Sequence, residues 1–326
     1  MKKILFASTA LVAFAGAAAA EVTITGNAEM GLLVGDGGVA PTDGDVEFFT
    51  DIDVTFTMSG ETENGLTYGA SVDLDEGGDG SDASDNNRED GGVSIFISGA
   101  FGTLTAGDTD GALDWALTEV AFNSGSINDD ETEHAGYNGN SGLDGVYDGQ
   151  IVRYDYSIGD FGIAVSAEID DATNNVGSDE DPILGIGARY NADFAGISGL
   201  GIGVGYQNGD DEEAIGASLN GTVFGLNLGV SYVNYSDTVI TRLGNAFDAD
   251  DHIGVGVGYV NNAISLSANY GVYNVEDSDV DVSGYGLTAG YDLGGGALLQ
   301  LGYGHSDFDD AADEVDTFSF GVRMNF

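Results

Sequence analysis

Carboxylates are the one reactive residue type that this chain carries in quantity. Its 56 Asp and Glu stand against seven Lys and Arg, for a formal net charge of −49. They gather in runs, DLDEGGDGSDASDNNRED at 73–90 and SINDDETEHAG at 126–136. Carboxylates this dense can select cations by their field, ligate hard cations, or work as acid–base pairs. An EF-hand needs Gly at its sixth position and Glu at its twelfth; counted from Asp277 the sixth residue is Val282, so that motif fails. Asp129, Asp130 and Glu131 are left as neighbours in sequence that can hold Ca2+ loosely, and no cofactor is required. Acid–base chemistry finds no partners: His134, His252 and His305 stand far apart without H-E-x-x-H spacing and read as solvated loop or lumen residues. No G-x-S-x-G elbow is present, and the absence of Cys removes thiol chemistry, Cys-based zinc sites and disulfides. The alternate glycines of GLGIGVG (199–205) and GVGVG (254–258) do not form a G-x-G-x-x-G opening a helix, which speaks against a phosphate loop. An enzyme is not expected. A nucleic-acid partner is excluded too, because phosphate binding needs a basic surface.

The elements that hold these carboxylates are strands. Residues 1–20 stand apart: MKK, the apolar run ILFASTALVAFAGA, and Ala18 and Ala20 at an A-x-A site form a secretory signal peptide, so the mature chain starts at Glu21 with five Arg as its basic residues. After it, polarity alternates. Val22, Ile24, Ala28, Met30 and Leu32 oppose Thr23, Thr25, Asn27 and Glu29, and Ile52, Val54, Phe56 and Met58 oppose Asp51, Asp53, Thr55 and Thr57. A period of two means a strand with one apolar face. Sixteen such segments run from 22–34 to 314–326, with 224–235 and 252–260 among them, and an even count suits a closed antiparallel barrel with both termini at one end. AFG, GDFG, NN and LGGG are short connections, while the intervening ones are longer and acidic, which gives the barrel a turn end and a loop end. Many segments reach the length a tilted strand needs to cross a bilayer. Tyr190, Tyr206, Tyr232, Tyr259, Tyr285, Tyr291 and Tyr303 lie at ends of the apolar face, where rings meet a membrane interface. The apolar face therefore meets lipid, and the polar face, with the alternate glycines on it, lines a lumen. One connection, 109–149, is far longer than the others and holds the single Trp, Trp115; a loop of that length is functional or disordered.

The stretches EVTITGNAEMGLLV, FTMSGETENGLTYGAS, VSIFISGAFGTLTAGD and GYDLGGGALLQLGYG, with the terminal Phe326, resemble the Gram-negative general diffusion porins of the Rhodobacter, alphaproteobacterial type. The resemblance implies an all-β fold: a 16-stranded antiparallel transmembrane β-barrel over residues 21–326, in the outer membrane, with an inward-folded third loop at 109–149 as its constriction. It also implies a homotrimer in which 76–91 latches onto a neighbour, and Phe326 as the assembly signal read by the barrel-assembly machinery, amid outer-membrane lipid and lipopolysaccharide. In the family, acidic loop residues face arginines on the opposite wall. Here that wall strand carries Asp51 and Asp53 instead.

The expected function is a water-filled channel for passive diffusion of small hydrophilic solutes and ions. Lumen parity puts Glu29, Asp51, Asp53, Asp73, Asp75 and Glu168 on the wall, answered only by Arg153, Arg189 and Arg323. Asp108, Asp110, Asp114, Glu119, Asp144 and Asp148 add negative charge from the loop side, so the constriction is expected to select cations. The rival reading is a structural or adhesive barrel with a plugged lumen. A plug should be apolar and well packed, and this loop is acidic and rich in Gly and Asn. The short strands 92–99 and 102–108, with Phe96 breaking the parity, read as the place where subunits meet.

Overall fold

The computed structural model describes residues 20–35, 46–77, 92–122, 126–127, 134–147, 149–169, 181–209, 211–276, 278, 280–308 and 314–326. Nearly all of the expected signal peptide and of the expected latch at 76–91 lies outside them. The strands are β1 Glu21–Gly35, β2 Val46–Glu61, β3 Thr67–Gly77, β4 Val93–Gly99, β5 Gly102–Asp108, β6 Gln150–Ile158, β7 Phe161–Glu168 and β8 Ile183–Phe194. There follow β9 Ile197–Gly209, β10 Glu212–Val223, β11 Leu226–Arg242, β12 Asn245–Asn261, β13 Ile264–Val275, β14 Asp281–Gly294, β15 Ala297–Phe308 and β16 Val315–Asn325. One short helix, α1 Ala112–Ala116, lies between β5 and β6.

Every strand pairs antiparallel with its neighbours in sequence, and β1 pairs with β16 to close a sixteen-stranded barrel, as the alternation predicts. Closure is staggered. The Phe326 N–H donates to Gly26 O at 2.8 Å, while Glu21 sits opposite Ser59 of β2, because tilted strands can close only with a register offset. Ile24, Met30, Ile52, Ile95, Ile186, Val204, Ile253 and Leu287 are exposed on the outer face, the apolar band a bilayer requires.

Two boundaries differ from the sequence reading. β11 continues to Arg242 and β12 starts at Asn245, so the two form a long hairpin where 224–235 and 252–260 were expected. Register shifts between Asn234 and Thr238 and between Ala249 and Asp251 break the alternation there. A bulge inserts extra residues into one strand and moves those beyond it to the other face. Ser231, Val233 and Tyr235 point inward before the bulge; Thr238, Ile240 and Arg242 do so after it.

Candidate pore constriction

From α1 onward the third loop runs round the inside of the wall. A β-carbon added at Gly187 would strike the Ala112 carbonyl, one at Gly203 the Ala116 carbonyl, one at Gly256 the Val120 carbonyl, and one at Gly271 the Gly136 carbonyl. Farther round, Ile127 presses on Gly31 and Gly321 and packs with Leu33 and Phe49. A segment that touches β8, β9, β12, β13, β16 and β1 of one closed barrel lies inside it. The alternate glycines of the lumen face are therefore its seat, since only Gly lets two backbones approach so closely. Enclosed backbone without a strand partner needs acceptors for its N–H groups, and wall side chains supply them. Ala112 N–H donates to Ser166 Oγ, Thr118 N–H to Ser218 Oγ, Ala135 N–H to Ser306 Oγ and Leu143 N–H to Gln207 Oε1, each at 2.9 Å.

The wall side of the loop is apolar. Leu113, Leu117, Ala135 and Leu143 pack with the lumen-facing Val233, Tyr235, Tyr273 and Phe308. The acidic composition had spoken against such packing, yet the apolar residues gather against the wall, where Asp144 is also held by Gln207, while Asp110 and Glu119 are exposed. On β2 to β6 the lumen face is only half-buried: Asp51, Asp53, Thr55, Asp73, Ser94, Phe96, Ser98, Thr103, Thr105, Arg153 and Asp155. This less covered wall, set against the exposed carboxylates of the loop, is the candidate aperture.

Glu29 stands opposite Asp51, Asn27 opposite Asp53, and Thr55 opposite Asp73. Thr55 Oγ1 donates to Asp73 Oδ1 at 2.8 Å. Glu29 is buried and pairs with Arg323 at 3.5 Å. At the loop, Arg153 Nη1 donates to the Asp110 carbonyl at 2.5 Å and lies 3.7 Å from its carboxylate, with Asp155 at 3.6 Å from Nε. Arg189 lies 3.7 Å over the Trp115 ring and donates to the Trp115 carbonyl at 2.9 Å. Asp114 sits half-buried on α1, and the exposed Glu119 accepts a hydrogen bond from Tyr137 Oη. Asp144 accepts from Gly111 N–H at 2.6 Å and Gln207 Nε2 at 2.5 Å. Asp108 is not gathered with these: it has the outward parity of Leu104, and its carboxyl abuts Gly92. Asp148, Asp129, Asp130 and Glu131 lie outside the described residues.

Several placements depart from the sequence reading. Glu168 is 2% exposed, covered by the returning limb of the loop. Phe96 faces the lumen and lies on Gly69, so it is no part of the outer surface. His134 and His252 are fully buried, not solvated: their Nε2 atoms bond Asn269 Oδ1 and Gly136 O, both at 2.9 Å. His305 is on the outer face, 2.8 Å from Asp316. Arg242 was missed as a lumen cation because the β11 bulge reverses its parity. It reaches the His134 carbonyl at 3.4 Å and the Tyr137 ring at 5.9 Å.

Burial, reinforced by the charges of Asp110, Asp144 and Glu119, pushes the Asp114 carboxyl up to about 8. Burial also pushes Asp144 up to about 6, against the hydrogen bonds from Gly111 and Gln207. The His134 imidazole is driven down to about 4 by burial, with Arg242 adding to the effect, so it is neutral at pH 7.

Residues 7–311 match the family described as Gram-negative porin. A porin of Rhodobacter capsulatus is 29% identical over 94% of this chain and the whole of that relative. A refined porin structure superimposes with a TM-score of 0.67 at 25% identity, over 94% of this chain and all of that one. Rhodopseudomonas blastica porin, in a triple-mutant form, gives 0.63 at 20% with the same coverage. An anion-selective porin from Comamonas acidovorans shares the fold at 0.66 and 14%, again over 94% of this chain and all of that one. The glycine-seated inner loop and the carboxylate wall thus belong to a chain of the Gram-negative porin family, an outer-membrane channel for diffusion and not an enzyme.

Proposed function

We propose that the channel passes small hydrophilic solutes and ions with a preference for cations. The observation that carries this reading is the pairing state of the arginines. Carboxylates answer Arg153 (Asp110 and Asp155) and Arg323 (Glu29), while Arg189 is held by Trp115 and Arg242 by the His134 carbonyl and the Tyr137 ring, neutral groups that leave two positive charges against the more numerous carboxylates. Asp51, Asp53 and Asp73 on the wall, with Glu119 and Asp144 on the loop, are then the carboxylates offered to a passing ion at neutral pH, and Asp114 adds its charge only above about pH 8. A ring of carboxylates favours cations, and low-dielectric walls strengthen its field.

In this reading the functional particle is a homotrimer in outer-membrane lipid and lipopolysaccharide. Residues 1–20 are removed on export, 76–91 contact the neighbouring subunit, Phe326 addresses the chain to the barrel-assembly machinery, and Asp129, Asp130 and Glu131 hold Ca2+ loosely. Planar-bilayer recordings of the purified protein test the channel: discrete conductance steps are expected, and a plugged barrel would give none.

A further inference from the structure

We propose that Glu168 is the positioning residue that fixes the aperture, by holding the returning limb of the third loop against the wall. The inference rests on the reading of that loop as the constriction. Glu168 ends β7 with its carboxylate buried, and that carboxylate collects three backbone donors of one short segment. Gly145 N–H donates to Oε2 at 3.0 Å, and Tyr147 N–H at 3.3 Å and Gly149 N–H at 2.8 Å donate to Oε1. Gly145 and Gly149 have φ of 81° and 76°, the left-handed region that turns alternate N–H groups toward one point.

A second clamp adjoins the first. Gln207, fully buried on β9, accepts from Leu143 N–H and donates to Asp144, whose other oxygen accepts from Gly111 N–H at the start of α1. The two wall side chains therefore grip Leu143, Asp144, Gly145, Tyr147 and Gly149 and, through Asp144, tie the outgoing limb to the returning one. Charge-assisted bonds of this kind are about twice as strong as neutral ones. Glu168 is buried under the loop and does not face the opening, so its first effect is on the width of that opening.

The test compares wild type with Glu168→Ala and Glu168→Gln in planar bilayers and in swelling of liposomes with neutral sugars of graded size. Glu168→Ala should raise single-channel conductance and the sugar size limit together. Glu168→Gln, which keeps one acceptor oxygen, should fall between the two. Unchanged conductance and size limit in a folded Glu168→Ala barrel overturn the proposal, as does a shift of the zero-current potential in a KCl gradient without one of size. Hydrogen exchange on the wild type gives an answer even where a variant fails to fold: protected amides at Gly145, Tyr147 and Gly149 are expected, and rapid exchange there overturns the clamp. A wild type that does not conduct would instead count against the channel reading itself.

Discussion

Asp114 and Asp144 make the charge of the constriction depend on pH. Both carboxyls are raised, to about 8 and about 6, so each is neutral below its value and negative above it. Moving from pH 5 to pH 9 therefore adds negative charge at the loop, and cation preference should rise over that interval. The measurement is the zero-current potential at fixed KCl gradient and varied pH; a preference that stays flat, or falls, contradicts the placement of these groups. His134, driven down to about 4, stays neutral throughout and supplies no opposing charge. At this scale the sequence revealed which residues carry charge, and strand parity placed Asp51, Asp53 and Asp73. It could not show that Glu168 lies under the loop, because parity gives a face and not what covers it.

The third loop and its glycine seat are legible as elements only once the barrel is closed. Alternate glycines read as lumen residues, but their use emerges from β8, β9, β12 and β13 curving round one backbone. Filling the seat should dislodge the loop. Gly203→Val and Gly256→Val put side chains where the Ala116 and Val120 carbonyls now lie, and overpacking of this kind costs about 1–3 kcal/mol. A lower melting temperature, or a wider channel in the variants that fold, is expected for both. Val204→Ala on the outer face of the same strand should not widen the channel. Normal conductance and stability in both glycine variants would mean that the loop does not rest on this wall. The strand count was readable because period two survives along most of the chain. The alternation breaks at Asp237 and Asp250, where bulges interrupt it, and so the extent of the β11–β12 hairpin and the placement of Arg242 were hidden. Leu33, Phe49, Val233 and Tyr273 were hidden differently: apolar residues on the lumen face look like lipid-facing ones until a loop is found packed on them.

For the whole molecule, the proposed homotrimer can be tested at the low part of the wall. β4 and β5 have seven residues each; at a rise of ~3.3 Å per residue they span about 23 Å, short of the ~30 Å hydrocarbon layer. In the proposed trimer Ile95, Ile97 and Leu104, exposed on their outer face, would be covered by another subunit. Mass measurement in mild detergent should give three chains per particle, and a stable monomer would contradict this. The central claim, however, concerns charge: an acidic chain whose described arginines are engaged should present carboxylates to the ions that cross it. The direct measurement is the zero-current potential across a KCl gradient at low salt, where the Debye length is long and the field is least screened. The account predicts that the dilute side becomes positive, and that Asp51→Asn with Asp53→Asn reduces the potential; a dilute side that becomes negative, or a potential of zero in the wild type, would contradict it.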